Sequence, residues 1–279
     1  GIGVFAILGL CMGDVRPTRA EMQKLSALRR FVRPVLDYAL PPRCPGCGCM
    51  VEDDRRFCAE CWLKLDFLGD PCCARCGIPF AFDEGEGAEC GTCLAHPPEY
   101  DSARAVLAYD DLASGIAIRL KYGRRLGLAR LMAQHMAARM PASVDTRWLI
   151  VPVPLHRWRM WGRGFNQAAV IADHIARASG VPTEKRALVR HRSTRPLRNM
   201  SAAMRAKAVR GAFTLDRALG DRVRGRDIIL IDDIHTTGAT AQACAQELRR
   251  GGARSVHLLC WARVVPGHDR SKIDPAIDF

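Results

Sequence analysis

Apolar and polar positions along this chain follow two different rhythms. From residue 103 onward, short apolar runs are separated by longer stretches in which apolar residues recur every three or four positions. The short runs predict strands over 103–109, 148–153, 187–189, 227–231 and 255–261. The longer ones predict helices over 112–122, 126–140 and 166–178, one starting at Ser201, and one that Gly251 and Gly252 terminate. Strands alternating with crossover helices specify an α/β domain with a mostly parallel sheet covered on both faces. The run Ile228-Ile229-Leu230-Ile231 is apolar at every position, as a central parallel strand requires. Ligands of such sheets bind beyond the carboxyl ends of the strands, so a site is expected just after Ile231.

The first hundred residues read differently. Leu25, Leu28, Phe31, Val32, Val35 and Leu36 fall at helical spacing between Glu21 and Leu40, with Pro34 as a kink or end and Pro41-Pro42 as the stop. The segment 43–98 is rich in Gly and Pro and has no periodic apolar run, so side chains alone cannot give it a core. The expected organisation is a tail and helix at 1–42, a small module at 43–98, the sheet domain at 99–266 and a tail at 267–279.

Cysteine supplies what the module lacks. Ten of the 13 cysteines lie between Cys44 and Cys93. Cys44, Cys47, Cys58 and Cys61 form one pair of C-x-x-C hooks, and Cys73, Cys76, Cys90 and Cys93 form a second. Four thiolates are the usual tetrahedral donor set of structural Zn²⁺, so two zinc ions and a double ribbon are expected. The first hook of each set is followed by Gly, an internal repeat that favours successive ribbons, although interleaved pairing is also open. A closed Cys₄ site has no free coordination position, so its role is folding or a partner platform rather than catalysis. Cys49, Cys72, Cys244 and Cys260 are left over and read as ordinary residues, and the module is expected to be stable independently of the sheet.

Composition adds bounds. With 48% hydrophobic and 25% charged residues in 279, the chain is of the ordinary globular kind, and no run reaches the roughly 18 apolar residues of a membrane span. Ile2 to Leu10 is apolar but has no basic leader, so export is not expected, Met22 is a candidate start, and a cytoplasmic location is expected. Residues 1–100 carry 11 Lys/Arg against 14 Asp/Glu, and the rest of the chain 31 against 15, so the excess cationic charge sits with the sheet domain. That bias points to phosphate-rich ligands or nucleic acid.

The densest chemistry follows the central strand. Asp232 and Asp233 stand at its end, where exposed carboxylates can accept hydrogen bonds from both hydroxyls of a ribose and face Mg²⁺. Thr236, Thr237, Gly238, Ala239 and Thr240 then turn into a helix, with small side chains, hydroxyls and N–H groups that suit a phosphate. An acidic turn with a Thr cap would explain one Asp or one Thr, but not the ordered set.

This 13-residue segment resembles the signature of type I phosphoribosyltransferases. Pro41-Pro42-Arg43-Cys44, the cysteine hooks, Leu120-Lys121-Tyr122-Gly123, Val151-Pro152-Val153-Pro154-Leu155-His156 and Arg163-Gly164-Phe165-Asn166-Gln167 extend the likeness to the ComF (competence protein F) family. The resemblance implies a phosphoribosyltransferase-like domain behind a zinc module, a pyrophosphate position at Leu155, His156 and Arg157, and a link to DNA uptake and its machinery proteins.

Two cationic stretches complete the picture. Between Lys185 and Arg210 there are nine Lys/Arg and no acid, including Arg190, Arg192, Arg195 and Arg198, a loop able to close over pyrophosphate or follow a nucleic-acid backbone. Trp158, Trp161 and Arg163 belong to a run that interleaves rings with guanidinium groups, the composition of single-stranded DNA binders, or equally of a loop packed on the module. Two readings result. One is a pentosyltransferase moving 5-phosphoribosyl from phosphoribosyl pyrophosphate and Mg²⁺ to a nitrogen nucleophile; the other is a non-catalytic single-stranded DNA-binding protein using the pocket as a ligand site.

Overall fold

The computed structural model describes residues 41–53, 56–123, 125–192, 204 and 209–267. The expected helix between Glu21 and Leu40, the one from Ser201, and Arg195 and Arg198 lie outside the described residues.

Four strands form one parallel sheet: β1 (Ser102–Ala108), β2 (Leu149–Pro152), β5 (Asp227–His235) and β6 (Ser255–Arg263), in the order β1-β6-β5-β2. The alternation within β5 shows why its apolar run is unbroken. Ile229 and Ile231 join one core cluster, Ile228 and Leu230 the other, so both faces of the strand are covered. The first cluster takes residues from α3 (Asp111–Tyr122), α4 (Gly127–Ala137) and α6 (Gln167–Ser179), around a fully buried Trp261. The second is closed by α8 (Ala239–Arg250) and by β3 (Leu188–Arg190) paired antiparallel with β4 (Phe213–Leu215).

Three elements depart from expectation. Strand β4 was not anticipated, because Phe213-Thr214-Leu215 is too short to stand out and takes its conformation from pairing with β3. The Trp-rich stretch forms a helix, α5 (Arg157–Arg163), between the His156 N-cap and a left-handed Gly164. Strand β5 does not end at Ile231 but runs four residues further, held by β6 up to the His235–Arg263 register.

The cysteine module carries two one-turn helices, α1 (Ala59–Leu63) and α2 (Gly91–Ala95), each beginning right after the first cysteine of a second hook. It is also fastened to the sheet. The Leu68 N–H bonds the Val106 carbonyl at 2.9 Å and the Ala108 N–H the Asp66 carbonyl at 2.9 Å, extending the β1 edge. Guanidinium groups of the sheet domain reach the carbonyls of both first hooks: Arg119 to Pro45 and Gly46, Arg104 to Ala74, and Arg263 to Cys76. Gly77 fits here because it has φ +68° and an added Cβ would stand 2.3 Å from the Ala103 carbonyl oxygen. These contacts were not part of the expectation of independent stability: a module too small for its own core has its carbonyls satisfied by sheet-domain arginines.

Between them, α7 (Gly220–Val223) and a preceding short 3₁₀ turn lead into β5. No described helix is long and apolar enough to cross a membrane.

Candidate functional site

One cavity opens at the carboxyl ends of β2 and β5, where the strand-end rule placed it. Its floor is the turn from Thr236 to Gly238 and the first residues of α8. Gly238, at φ +77°, is the N-cap and provides no side-chain hydrogen bond, so the first N–H groups of a three-turn helix are available to a ligand. An added Cβ there would meet the His235 imidazole at 3.2 Å, so the turn lies directly on that ring. All five residues Thr236 to Thr240 line the cavity.

The two carboxylates differ. Asp233 is buried and makes a 2.7 Å ion pair with the equally buried Lys121 of α3, while the Gln167 amide donates to the same oxygen at 3.3 Å and the Ile234 N–H to the other at 2.9 Å. Burial pushes this carboxyl up, but Lys121 and the donated hydrogen bonds prevail and hold it below the usual carboxylate range. Asp232 is half-buried and accepts one backbone N–H, that of Asp233, at 2.9 Å. Burial and then the Asp233 charge drive it well above that range. The expectation of two exposed carboxylates is thus corrected: the strand continues past them, so successive side chains fall on opposite faces and one is drawn under α3.

Of the residues expected at the pyrophosphate, Leu155 lines the cavity. His156 is buried and caps α5, its Nδ1 accepting from the Trp158 N–H at 3.4 Å, and Arg157 is exposed outside the cavity wall. The cations that do line the cavity are Lys121, Arg163 and Arg190. Arg163 lies over the Tyr122 ring at 4.8 Å and donates to its hydroxyl at 2.9 Å; Arg190 lies over Phe213 at 5.3 Å. Arg192 is exposed. Trp158 and Trp161 are 66% and 79% exposed, edge to face at 5.6 Å, which overturns packing against the module.

Lys121, Asn166 and Gln167 had been given no role. Asn166 is positioned by its own hydrogen bonds, donating to the Val153 carbonyl and accepting from the Ala168 N–H, both at 3.0 Å, which caps α6 and ties it to the loop after β2. The signal for all three lay in the Leu-Lys-Tyr and Gly-Phe-Asn-Gln runs, whose chemistry shows only once the fold sets them beside β5.

The module gathers its thiols into two groups whose sulfurs lie within 4.8 Å of one another: Cys73, Cys76, Cys90 and Cys93, and Cys44, Cys47, Cys49 and Cys58. Each pairs the first hook with the next, so the hooks are successive. Backbone donors aim at the buried sulfurs, with the N–H groups of Cys76 and Cys90 3.4 and 3.3 Å from the Cys73 Sγ. Although burial raises the Cys73 thiol, these donors bring it down to about 6, a poise suited to a metal-bound thiolate. The donor chemistry fits zinc. In the Cys44 group Cys49 stands beside the expected thiols; Cys61, only 4% exposed, also interacts with Cys44, Cys47 and Cys58, so five thiols share that corner.

Fold and site together define a parallel-sheet α/β domain with a small-residue turn opening a helix at its strand ends, joined to a two-site cysteine module. Residues 35–94 match the family model of the double zinc ribbon domain. The DNA utilization protein YhgH of Salmonella typhimurium is 33% identical over 198 residues, 69% of this chain and 84% of that protein. Competence protein F of Haemophilus influenzae is 27% identical over 212 residues, 74% and 90% of the two chains, and Competence protein ComFC of Bacillus subtilis 27% over 219 residues, 74% and 84%. This chain belongs to the ComF family. Among solved structures, the allosteric regulatory enzyme of purine biosynthesis matches 47% of this chain and 25% of its own, at 26% identity and a TM-score of 0.31.

Proposed function

We propose that the cavity binds phosphoribosyl pyrophosphate with Mg²⁺ and that the protein is a phosphoribosyltransferase-like member of the DNA-uptake apparatus. The observation that carries this reading is the pairing, in one cavity, of the uncapped α8 N-terminus with the Asp232 carboxyl. The turn from Thr236 to Thr240 would take the 5′-phosphate and Asp232 the ribose hydroxyls. Arg163 and Arg190 are the cations for the pyrophosphate.

Mg²⁺ fits beside Asp232, whose charge lacks the counter-ion that Lys121 gives Asp233, and when bound it would neutralise pyrophosphate oxygens. If the site turns over, the bond from the anomeric carbon to pyrophosphate breaks and one to a nitrogen nucleophile forms. The chain's own share is to hold the two ends of the donor apart and fixed. Calorimetry tests the binding: phosphoribosyl pyrophosphate with Mg²⁺ should bind more tightly than free pyrophosphate, and Asp232→Asn should abolish the difference. Equal affinities in the wild type would end the proposal. Pyrophosphate release with a panel of bases and amines then tests turnover.

A second reading is favoured by Trp158 and Trp161, which stand in solvent on α5 above the cavity-lining Arg163. Exposed rings beside guanidinium groups suit stacking of single-stranded DNA, a role in keeping with relatives named for DNA utilization and competence.

A further inference from the structure

The Cys73-x-x-Cys76 hook touches the sheet at the end of β6. Arg263, the last residue of β6, is 5% exposed, and one of its terminal nitrogens donates to the Cys76 carbonyl, inside the hook Cys73-x-x-Cys76. Across the sheet, Arg263 stands in register with His235, the last residue of β5, and the N–H of Val264, just past β6, donates to the His235 carbonyl at 2.9 Å. The His235 imidazole in turn lies against the turn at Gly238, where an added Cβ would stand 3.2 Å from its Nε2, and meets the Tyr100 hydroxyl at 3.4 Å. A continuous line of packed and hydrogen-bonded groups therefore runs from the hook to the turn.

Two features set this line apart. Arg263 Nε and His235 Nδ1 are buried with no hydrogen-bond partner among the described residues, so side-chain bonds alone do not fix the pair and the anchor at the Cys76 carbonyl matters more. Arg104 grips the same hook through the Ala74 carbonyl at 3.0 Å, but sits on β1, away from His235. It supplies a natural control.

We infer that Arg263 and His235 are positioning residues through which the second metal hook holds the 236–240 turn in its ligand-ready shape. The metal at Cys73, Cys76, Cys90 and Cys93 thereby becomes part of the ligand site without touching it. This builds on the reading of the turn as a phosphate cradle, but its test reads the ligand-free turn and so stands or falls separately.

The experiment is amide hydrogen exchange on the full, zinc-loaded chain, comparing wild type, Arg263→Gln and Arg104→Gln, with zinc content measured on each. Arg263→Gln should quicken exchange over 236–240 on the order of tenfold, as loss of one charged hydrogen bond allows, while 257–261 and the zinc content stay as in wild type. Arg104→Gln should leave the turn unchanged. Where Arg263→Gln loosens all of β6, the milder Arg263→Lys is read by the same criteria. An unchanged turn in the Arg263 variants, or equal quickening in Arg104→Gln, overturns the inference.

Discussion

Neighbouring aspartates of one strand should respond oppositely to the same substitution. Asp233→Asn leaves the Lys121 ammonium buried without its counter-charge, since the carboxylate 2.7 Å away is its ion-pair partner and both side chains are under 10% exposed. Breaking a buried pair from one side costs about 3–5 kcal/mol. At roughly 2–4 °C per kcal/mol for a domain of this size, Tm should fall by about 6–20 °C. Asp232→Asn removes a carboxyl that burial and the Asp233 charge hold above the usual carboxylate range. Because that pKa is raised on folding, its contribution favours the fold at low pH and is lost as pH rises through the folded value. At neutral pH the Asn variant should therefore gain stability, on the order of 1 kcal/mol. Thermal unfolding of the ligand-free proteins at neutral pH is the assay, and Lys121→Met added to Asp233→Asn should recover part of the loss. Equal shifts for the two single variants, or a fall in Asp232→Asn, would show that the carboxylates are equivalent and the ion pair of no consequence.

Other outcomes can be checked alongside. Binding of Mg²⁺ with phosphoribosyl pyrophosphate should weaken as pH falls through the raised Asp232 value and should release protons, seen as a buffer-dependent heat; a buffer-independent heat would count against Asp232 as the cation's ligand. Freshly purified, reduced protein should contain about two zinc ions per chain, and less than one would remove the double-ribbon reading. Cys73→Ser should loosen β1 and β6 as well as the module, seen as faster amide exchange, because Arg104 and Arg263 lose ordered acceptors. Trp158→Ala with Trp161→Ala should weaken single-stranded DNA binding by roughly 1–3 kcal/mol per stacked base, with affinity falling steeply in salt; a salt-independent affinity would dismiss the second reading.

What could be read from the sequence was what is local. Four C-x-x-C hooks announce metal because hook spacing is a short-range property, and the Asp-Asp-x-x-Thr-Thr-Gly-x-Thr run announces a strand-turn-helix because turn chemistry and apolar periodicity act within a dozen residues. The fate of the acidic pair was not legible. Nothing near Asp233 in the chain indicates that Lys121 will reach it, and a strand's end is set as much by its neighbour as by its own residues: β6 pairs onward to Arg263, so β5 continues to His235. The place of Cys49 was not legible for a related reason. Its C-x-C spacing from Cys47 fits no hook, yet after the 45–47 turn and the left-handed Gly48 its sulfur lies beside those of Cys47 and Cys58.

The same distinction explains why the module and the sheet looked separable. Beyond the backbone bonds along the β1 edge, the hooks are held by arginine side chains that reach backbone carbonyls, and a carbonyl has no letter in the sequence. Arg104, Arg119 and Arg263 would read as three more contributions to a large positive charge, ready for phosphates in solvent. In the fold they are spent on the peptide groups of the hooks, where a C-x-x-C turn leaves carbonyls that a module of this size cannot satisfy itself. The cationic excess at the cavity is therefore smaller than the net charge suggests, and among the described residues the cations lining it are Arg163 and Arg190 beside Lys121, which is paired with Asp233. A nucleic-acid ligand would have to add exposed groups such as Arg157 and Arg192 to that pair. Replacing those two should thus lower DNA affinity and its salt dependence while leaving phosphoribosyl pyrophosphate binding intact, and a loss of both together would place the two ligands in one site.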